Sequence, residues 1–342
     1  MFNPKYTISH RLLGNIKRIA GLVSDLNHRS FSNIILTELE IRAREISVFS
    51  STSIEGNPLP LTEVKRILKN KPDNIRDSEK EVLNYNQALT ELNFLIKKNR
   101  INFDAKLILK IQKLITEGLI EKHRCGQTRQ EPVFVNNPKT RQVVYLPPDQ
   151  KEVLPLLNEL IHYLNENKNK VDSLILAGIF HKQFVIIHPF VDGNGRTARL
   201  ATKMLLAQMG LNTFNLFSFE NYYNQNISKY FQEVGVFGNY YDIKDEINFT
   251  SWLEYFSDGI IDELLRVGKE LDRQAISPKT ELKEHHQQII NYIKKRGYIT
   301  DRQYSQLTTR AKPTRNLDFR KLIDLKIIEK LGQGKATYYK LR

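Results

Sequence analysis

The sequence predicts a mainly α fold: a helical bundle that carries one β-hairpin, followed by a small C-terminal winged helix-turn-helix. Three observations predict it. Apolar residues recur at helical spacing through most of the first 275 positions. One short segment is instead rich in valine and aromatics on either side of a turn sequence. The last 66 residues are basic and read in the order helix, helix, helix, hairpin.

The elements follow from these patterns. Residues 33–49 alternate apolar positions with Glu and Arg at helical spacing, and 78–99 repeat the pattern with Leu83, Ala88, Leu92 and Leu95 on one side. Residues 105–117 form an amphipathic helix ended by Gly118. Helices follow at 153–165 and 171–187, and the second is apolar almost all round, which predicts a buried central helix. Residues 195–209 form a helix stopped by Gly210, and 222–234 and 249–271 complete the body. The hairpin is predicted from 131–135 and 142–146, which flank the turn sequence Asn136-Asn137-Pro138-Lys139-Thr140, with Pro147-Pro148 ending the second strand. An isolated hairpin is marginal, so it must lie against a helix or a ligand. A boundary is placed at 275–278. Beyond it come helices at 282–296 (ended by Gly297), 301–307 and 313–325, the last carrying Arg315, Arg320 and Lys321. A hairpin of 327–331 and 337–341 about Gly332-Gln333-Gly334 closes the chain. Three units are therefore expected: an N-terminal helical segment at 1–100, a core at 101–275 and the winged helix-turn-helix at 278–342.

Composition narrows the function classes. A chain of 342 residues with 40% apolar and 26% charged residues is ordinary for a globular protein. A single cysteine, Cys125, excludes an internal disulfide framework and fits a reducing compartment. The N-terminus has no secretory apolar region, and the longest apolar run, near 174–180, is about seven residues against the roughly 20 that a bilayer needs. A cytoplasmic protein with no membrane partner is expected. The net charge of +14 is uneven: residues 277–342 hold 16 Lys and Arg against 6 Asp and Glu, a surplus of 10. A basic tail on a near-neutral body points to a polyanionic partner, with DNA the first candidate.

The densest chemistry lies in His188-Pro189-Phe190-Val191-Asp192-Gly193-Asn194-Gly195-Arg196-Thr197-Ala198-Arg199. Pro189 cannot continue the preceding helix, so His188 stands at a loop mouth. Gly193 and Gly195 allow close approach of a ligand to the main chain, and Gly195 opens the next helix, whose free N–H groups and dipole favour anions. Arg196 and Arg199 add two cationic forks. Asp192 would repel phosphates directly, so its fitting role is to hold Mg²⁺. His188 can take a proton from an attacking hydroxyl. A metallohydrolase is disfavoured, because Pro189 breaks the helix that would align His188 with Asp192 and no second histidine stands at ligand spacing.

This stretch resembles the Fic signature, H-x-F-x-(D/E)-G-N-G-R-x-x-R, at every specified position, and the resemblance covers about residues 61–255. It implies a Fic-type helical bundle with a β-hairpin flap, and a nucleotidyltransferase that takes ATP with Mg²⁺ and passes AMP to a Ser, Thr or Tyr hydroxyl of a target protein or of itself. By position it implies His188 as general base and Asp192 as the Mg²⁺ ligand. Gly193, Asn194 and Gly195 would line the anion nest, continued by Arg196, Thr197, Ala198 and Arg199 around the phosphates. The strand Gln142, Val143, Val144, Tyr145 would be the flap that covers the nucleotide and pairs with the target backbone, with Tyr230 and Asn239 as candidates for the adenine pocket. Glycine after Asn194, where relatives with reversed nucleotide orientation carry lysine, favours AMP transfer. Family habit adds a homodimer.

Upstream, Ser51-Thr52-Ser53-Ile54-Glu55-Gly56-Asn57 resembles the inhibitory motif (S/T)-x-x-x-E-(G/N) of such proteins. A Glu55 carboxylate paired with Arg199 would take the γ-phosphate's place, with Ser51 supporting it. Two alternatives remain open: a DNA-binding regulator whose core only senses ATP, and a deAMPylase in which Glu55 positions a hydrolytic water.

Overall fold

The computed structural model describes all residues except 1, 30, 32, 99–101, 137–139, 141, 209–215, 276–281, 326 and 342. The expected hairpin turn, the Gly210 stop and most of the expected boundary at 275–278 therefore lie outside the described residues.

The body is helical, as its apolar periodicity demands. Helix α1 (His10–His28) is one that the sequence reading missed. Only Leu12, Ile19 and Leu26 are buried, spaced by seven, so its apolar stripe is too thin to stand out. It opens on Ser9, whose side chain accepts from Leu12 N. Helix α2 (Asn33–Ile54) runs five residues beyond its expected end and contains most of the inhibitory motif. Then come α3 (Leu61–Lys69), also missed, α4 (Asp77–Lys97) and α5 (Ala105–Thr116). Helices α6 (Gln150–Asn167), α7 (Ser173–Ile187) and α8 (Asn194–Gln208) follow. The expected helix at 222–234 is two, α9 (Glu220–Gln225) and α10 (Ile227–Val234), because Asn226 leaves helical geometry and turns its side chain to cap Lys229 N. After α11 (Tyr240–Ile243), the long α12 (Thr250–Ala275) packs back along α1, tied by Arg11–Asp258 and Arg29–Asp272 pairs.

Helix α7 is the hub. Leu174 to Gln183, Phe184, Ile186 and Ile187 are all buried among α6, α8 and α12. Trp252 of α12 donates its indole N–H to the Gly178 carbonyl at 2.7 Å. The expected single hairpin becomes a three-stranded sheet. Strand β1 (Val135–Asn136) pairs antiparallel with β2 (Val143–Leu146), and β3 (Gly238–Asn239) joins β2 in parallel at Tyr145 and Leu146. A two-residue strand carries no legible period, which is why β3 escaped the sequence reading.

The C-terminal region has its own apolar core. Helices α13 (Glu284–Arg296), α14 (Asp301–Ser305) and α15 (Lys312–Asp324) precede an antiparallel pair, β4 (Ile328–Leu331) and β5 (Tyr338–Leu341). Ile299 bonds to Tyr339 in both directions, and Phe319 stacks on Tyr339 at 3.9 Å. Arg315 of α15 spends its fork on both oxygens of Asp301 at 2.8 and 2.9 Å and on the Arg310 carbonyl. Arg320 stays exposed on α15. No described helix is long and apolar enough to cross a membrane.

Candidate active site

The motif forms the link between α7 and α8. Helix α7 ends at His188, whose φ of +50° makes it the only described non-glycine residue in the left-handed region. Such a conformation costs about 1–2 kcal/mol, so the surroundings must impose it. Arg129 does so. Its Nε donates to the His188 carbonyl at 2.8 Å, its backbone N–H donates to the Pro189 carbonyl at 2.9 Å, and its Nη2 reaches the Pro148 carbonyl at 2.5 Å. One buried guanidinium thus ties the loop to the end of β2. Sequence reading missed Arg129, which sits in an irregular segment without pattern.

The imidazole is shaped for one proton transfer. Nδ1 faces the Val185 carbonyl at 3.3 Å, which places the proton on Nδ1 and leaves the lone pair on Nε2. Burial, the largest influence, draws its pKa down to about 4, so the ring is neutral at pH 7 and ready to accept a proton.

The anion cradle is partly as expected. Gly193, at φ +85°, packs so tightly on α5 that a Cβ would lie 3.0 Å from Thr116 Cγ2 and 3.1 Å from Ile115 Cδ1. The buried Asn194 side chain accepts from Phe190 N and donates to Phe190 O, at 2.9 and 2.8 Å, so it braces the loop and leaves its backbone for the expected nest. Gln112 braces the same loop by donating to the Asp192 carbonyl while accepting from Gly126 N. That glutamine had a signal: it shares the apolar face of α5 with Ile108, Ile111 and Ile115. Thr197 and Ala198 are fully buried within α8 and face no open space.

The two arginines are both engaged by carboxylates. Arg196 grips both oxygens of Asp192, at 3.0 and 2.8 Å, and also Glu81 at 2.7 Å. Its buried Nε has no partner among the described residues. Glu81 was not foreseen, since it lies in a polar stretch of α4. It also accepts from Asn57, the last residue of the inhibitory motif, at 2.6 Å. Arg199, fully buried, donates from Nε to Ser51 Oγ at 2.8 Å, and from Nη2 to the Ser51 carbonyl at 2.9 Å and to Glu55 Oε1 at 2.7 Å. Glu55 comes first among the interactions that raise its pKa against the opposing cost of burial. The Glu55 carboxylate lies directly over Gly195, where any Cβ would overlap Oε1. An oxygen of the chain therefore occupies the start of α8, where a phosphate would sit.

Beneath Arg199 runs a buried polar chain. Tyr230 OH lies 3.5 Å from Arg199 and 2.9 Å from His181 Nε2, and His181 Nδ1 is 3.0 Å from Thr202 Oγ1. Tyr230 is 1% exposed and stacks on Tyr223 at 4.7 Å. It supports Arg199 from behind and does not wall a pocket, which corrects its expected place beside adenine. Asn239 caps α11 through Tyr241 N and pairs with Leu146. In the flap, Tyr145 is buried and donates to the Ile186 carbonyl at 2.9 Å. Gln142 and Val143 are exposed, Val143 at 53%, and Val144 is half-buried. Strand β3 covers Tyr145 and Leu146, so the edge left for a peptide is confined to residues 142–144.

Helix-start cradle, braced loop and inward carboxylate together make up the site. The family model described as the Fic/DOC family matches residues 102–206. Relatives named protein adenylyltransferase also match this chain. The Fic protein of Drosophila mojavensis is 28% identical over 228 residues, 61% of this chain and 43% of its own length. Protein adenylyltransferase fic-1 of Caenorhabditis elegans is 28% identical over 206 residues, 57% of this chain and 38% of its own. The chain thus spans about two fifths of the length of these relatives. Among solved structures, a Fic family protein from Desulfovibrio desulfuricans superposes with a TM-score of 0.64 at 19% identity, covering 100% of this chain and 98% of that one. Fic-1 from C. elegans gives 0.61 at 20% identity, covering 77% and 73%.

Proposed function

We propose that this chain is a protein adenylyltransferase held off by its own α2. The observation that carries the reading is the Glu55 carboxylate bound to Arg199 above Gly195. A carboxylate in a phosphate cradle mimics the ligand it excludes. A γ-phosphate brought to within about 4 Å of it would meet a repulsion of about 4 kcal/mol at an effective dielectric near 20.

With Glu55 withdrawn, the free N–H groups at the start of α8 and the released Arg199 fork would bind the nucleotide's phosphates, joined by Arg196 once its contacts with Asp192 and Glu81 give way. A target hydroxyl would attack the α-phosphorus, passing its proton to His188 Nε2. The bond to the β-phosphate breaks and pyrophosphate leaves. The donor set suits Mg²⁺: Asp192 is a hard carboxylate beside the cradle, 45% exposed, and magnesium takes one or two carboxylates together with substrate phosphates. When bound, the ion would offset phosphate charge. The strand edge at residues 142–144, exposed at Gln142 and Val143, supports a role in aligning the target backbone. The relatives' names support AMP as the group transferred. Residues 1–100, 101–275 and 278–342 would act as brake-bearing segment, catalytic core and docking module in a cytoplasmic homodimer, and the basic charge of the last segment supports a nucleic-acid or protein partner for it.

Incubating the chain with α-labelled ATP and a cell lysate tests this. Glu55→Gly should raise label incorporation at least tenfold over the unmodified chain. Equal or lower incorporation would sink the brake, and release of AMP from a pre-modified target would favour the deAMPylase reading.

A further inference from the structure

A cavity of about 1040 Å³ lies between the helical body and the C-terminal region, away from the motif. It is lined from α2, α4 and α8 of the body and from α13 and β5 of the C-terminal region. Eight cationic side chains and two carboxylates face it, among them Arg44, Lys97, Lys98, Lys203, Lys294 and Lys295. Three of the tail's lysines, Lys294, Lys295 and Lys340, are therefore turned against the body.

These charges are incompletely matched. Glu40 is shared by Lys97 and Lys294. Arg44 is less well served: its buried Nε has no partner among the described residues, and neither has Asn86 Oδ1 nearby. Burial is the largest influence on Arg44 and pushes its pKa down, with Glu40 and Glu45 opposing it. Glu45 pairs with Lys65. A buried cation without full compensation costs several kcal/mol unless an anion completes it. Lys203 is buried, with Ser47 Oγ at 3.4 Å and the Glu263 carboxylate as a charged neighbour. At the rim, Lys98 and Lys295 both sit over the Phe94 ring, at 5.1 and 5.0 Å.

We infer that this cavity is a binding site for a small polyphosphorylated anion, held by Arg44 and Lys203 at its floor and Lys98 and Lys295 at its rim. The size is that of a small-molecule pocket at a domain interface. A surplus of six positive charges suits several phosphates, and a nucleic acid duplex would not enter. The site touches α2 and α8, whose far ends carry Glu55 and the phosphate cradle, yet it stands independently of the proposed AMP transfer.

Calorimetric titration of the full chain, with Glu55 in place, uses inorganic tripolyphosphate as probe, and GTP in a second arm to distinguish a nucleotide from the bare phosphate chain. One equivalent of tripolyphosphate should bind. Arg44→Met should weaken it at least tenfold, and so should the paired rim change Lys98→Glu with Lys295→Glu, which keeps the test alive should Arg44→Met not fold. Arg196→Gln should leave it unchanged. Tighter uptake of GTP would name a nucleotide, and equal uptake the phosphate chain alone. No stoichiometric uptake of tripolyphosphate, affinity unaltered in the cavity variants, or loss in Arg196→Gln would overturn the assignment.

Discussion

Arg199 is buried in the body and Arg44 is half-buried with an enclosed Nε, and their surroundings are opposite. Around Arg199 the chain supplies its own anion: Glu55, with Ser51 and Tyr230, fills the space about the fork. At Arg44 a buried Nε has no partner among the described residues and lies beside an open cavity. The difference teaches how a buried cation can be read. A saturated one beside a helix start points to a competitor already seated, and an unsaturated one beside a hollow points to a ligand yet to arrive.

Three measurements would break or sharpen that contrast. The largest concerns what the first region is for. In the Glu55→Gly background, His188→Ala should lower AMP transfer by about 10²–10⁴-fold while ATP still binds, since removing a general base has effects of that size. Retained turnover would take His188 out of the chemistry. The second compares the arginines directly by thermal melting without ligand. Arg199→Met removes the hydrogen bonds to Ser51 and Glu55 and should lower the melting temperature. Arg44→Met removes a charge that lacks full compensation and should leave the melting temperature equal or higher. Equal losses at both positions would dissolve the distinction.

The third and smallest is electrostatic. Burial draws His188 down to about 4, so it should take no proton above about pH 5 in a nitrogen-resolved NMR titration, and the same cause draws His181 well below 6.5. Glu55 raises the His188 value, so Glu55→Gly should lower it a little further. The sign for stability follows. The folded chain refuses a proton at His188 that the unfolded chain accepts below about 6.5, so this contribution is complete above that pH and is lost as pH falls from there towards 4. A midpoint for His188 near 6.5 would mean a solvated ring and a looser pocket than described.

Much of this was legible before any coordinates. The apolar circumference of 171–187 announced a central helix because burial on every side leaves no polar stripe. The cradle could be read because glycines, a proline and two arginines constrain one another within twelve positions. What escaped was set by distance in space. Arg129 and Glu81 act on residues far along the chain and sit in stretches without periodic signal. Tyr230 looked like a pocket wall, because a tyrosine's sequence does not reveal whether its hydroxyl serves a ligand or a buried arginine. Asn194 carried a further duty that its identity does not reveal, since its side chain closes the loop on Phe190.

Glu55 follows directly on the last residue of α2, and Gly56 at φ +93° ends the segment. On the proposed function the carboxylate is a tethered rival whose local concentration does not change when the protein is diluted. Nucleotide would then wait for the terminal turn to fray, and its apparent affinity would equal the intrinsic one scaled by the fraction of time that turn is open. Anything that shortens or lengthens the life of those few backbone hydrogen bonds, including warming or a partner pulling on the following segment, would then act as a dial on the proposed activity.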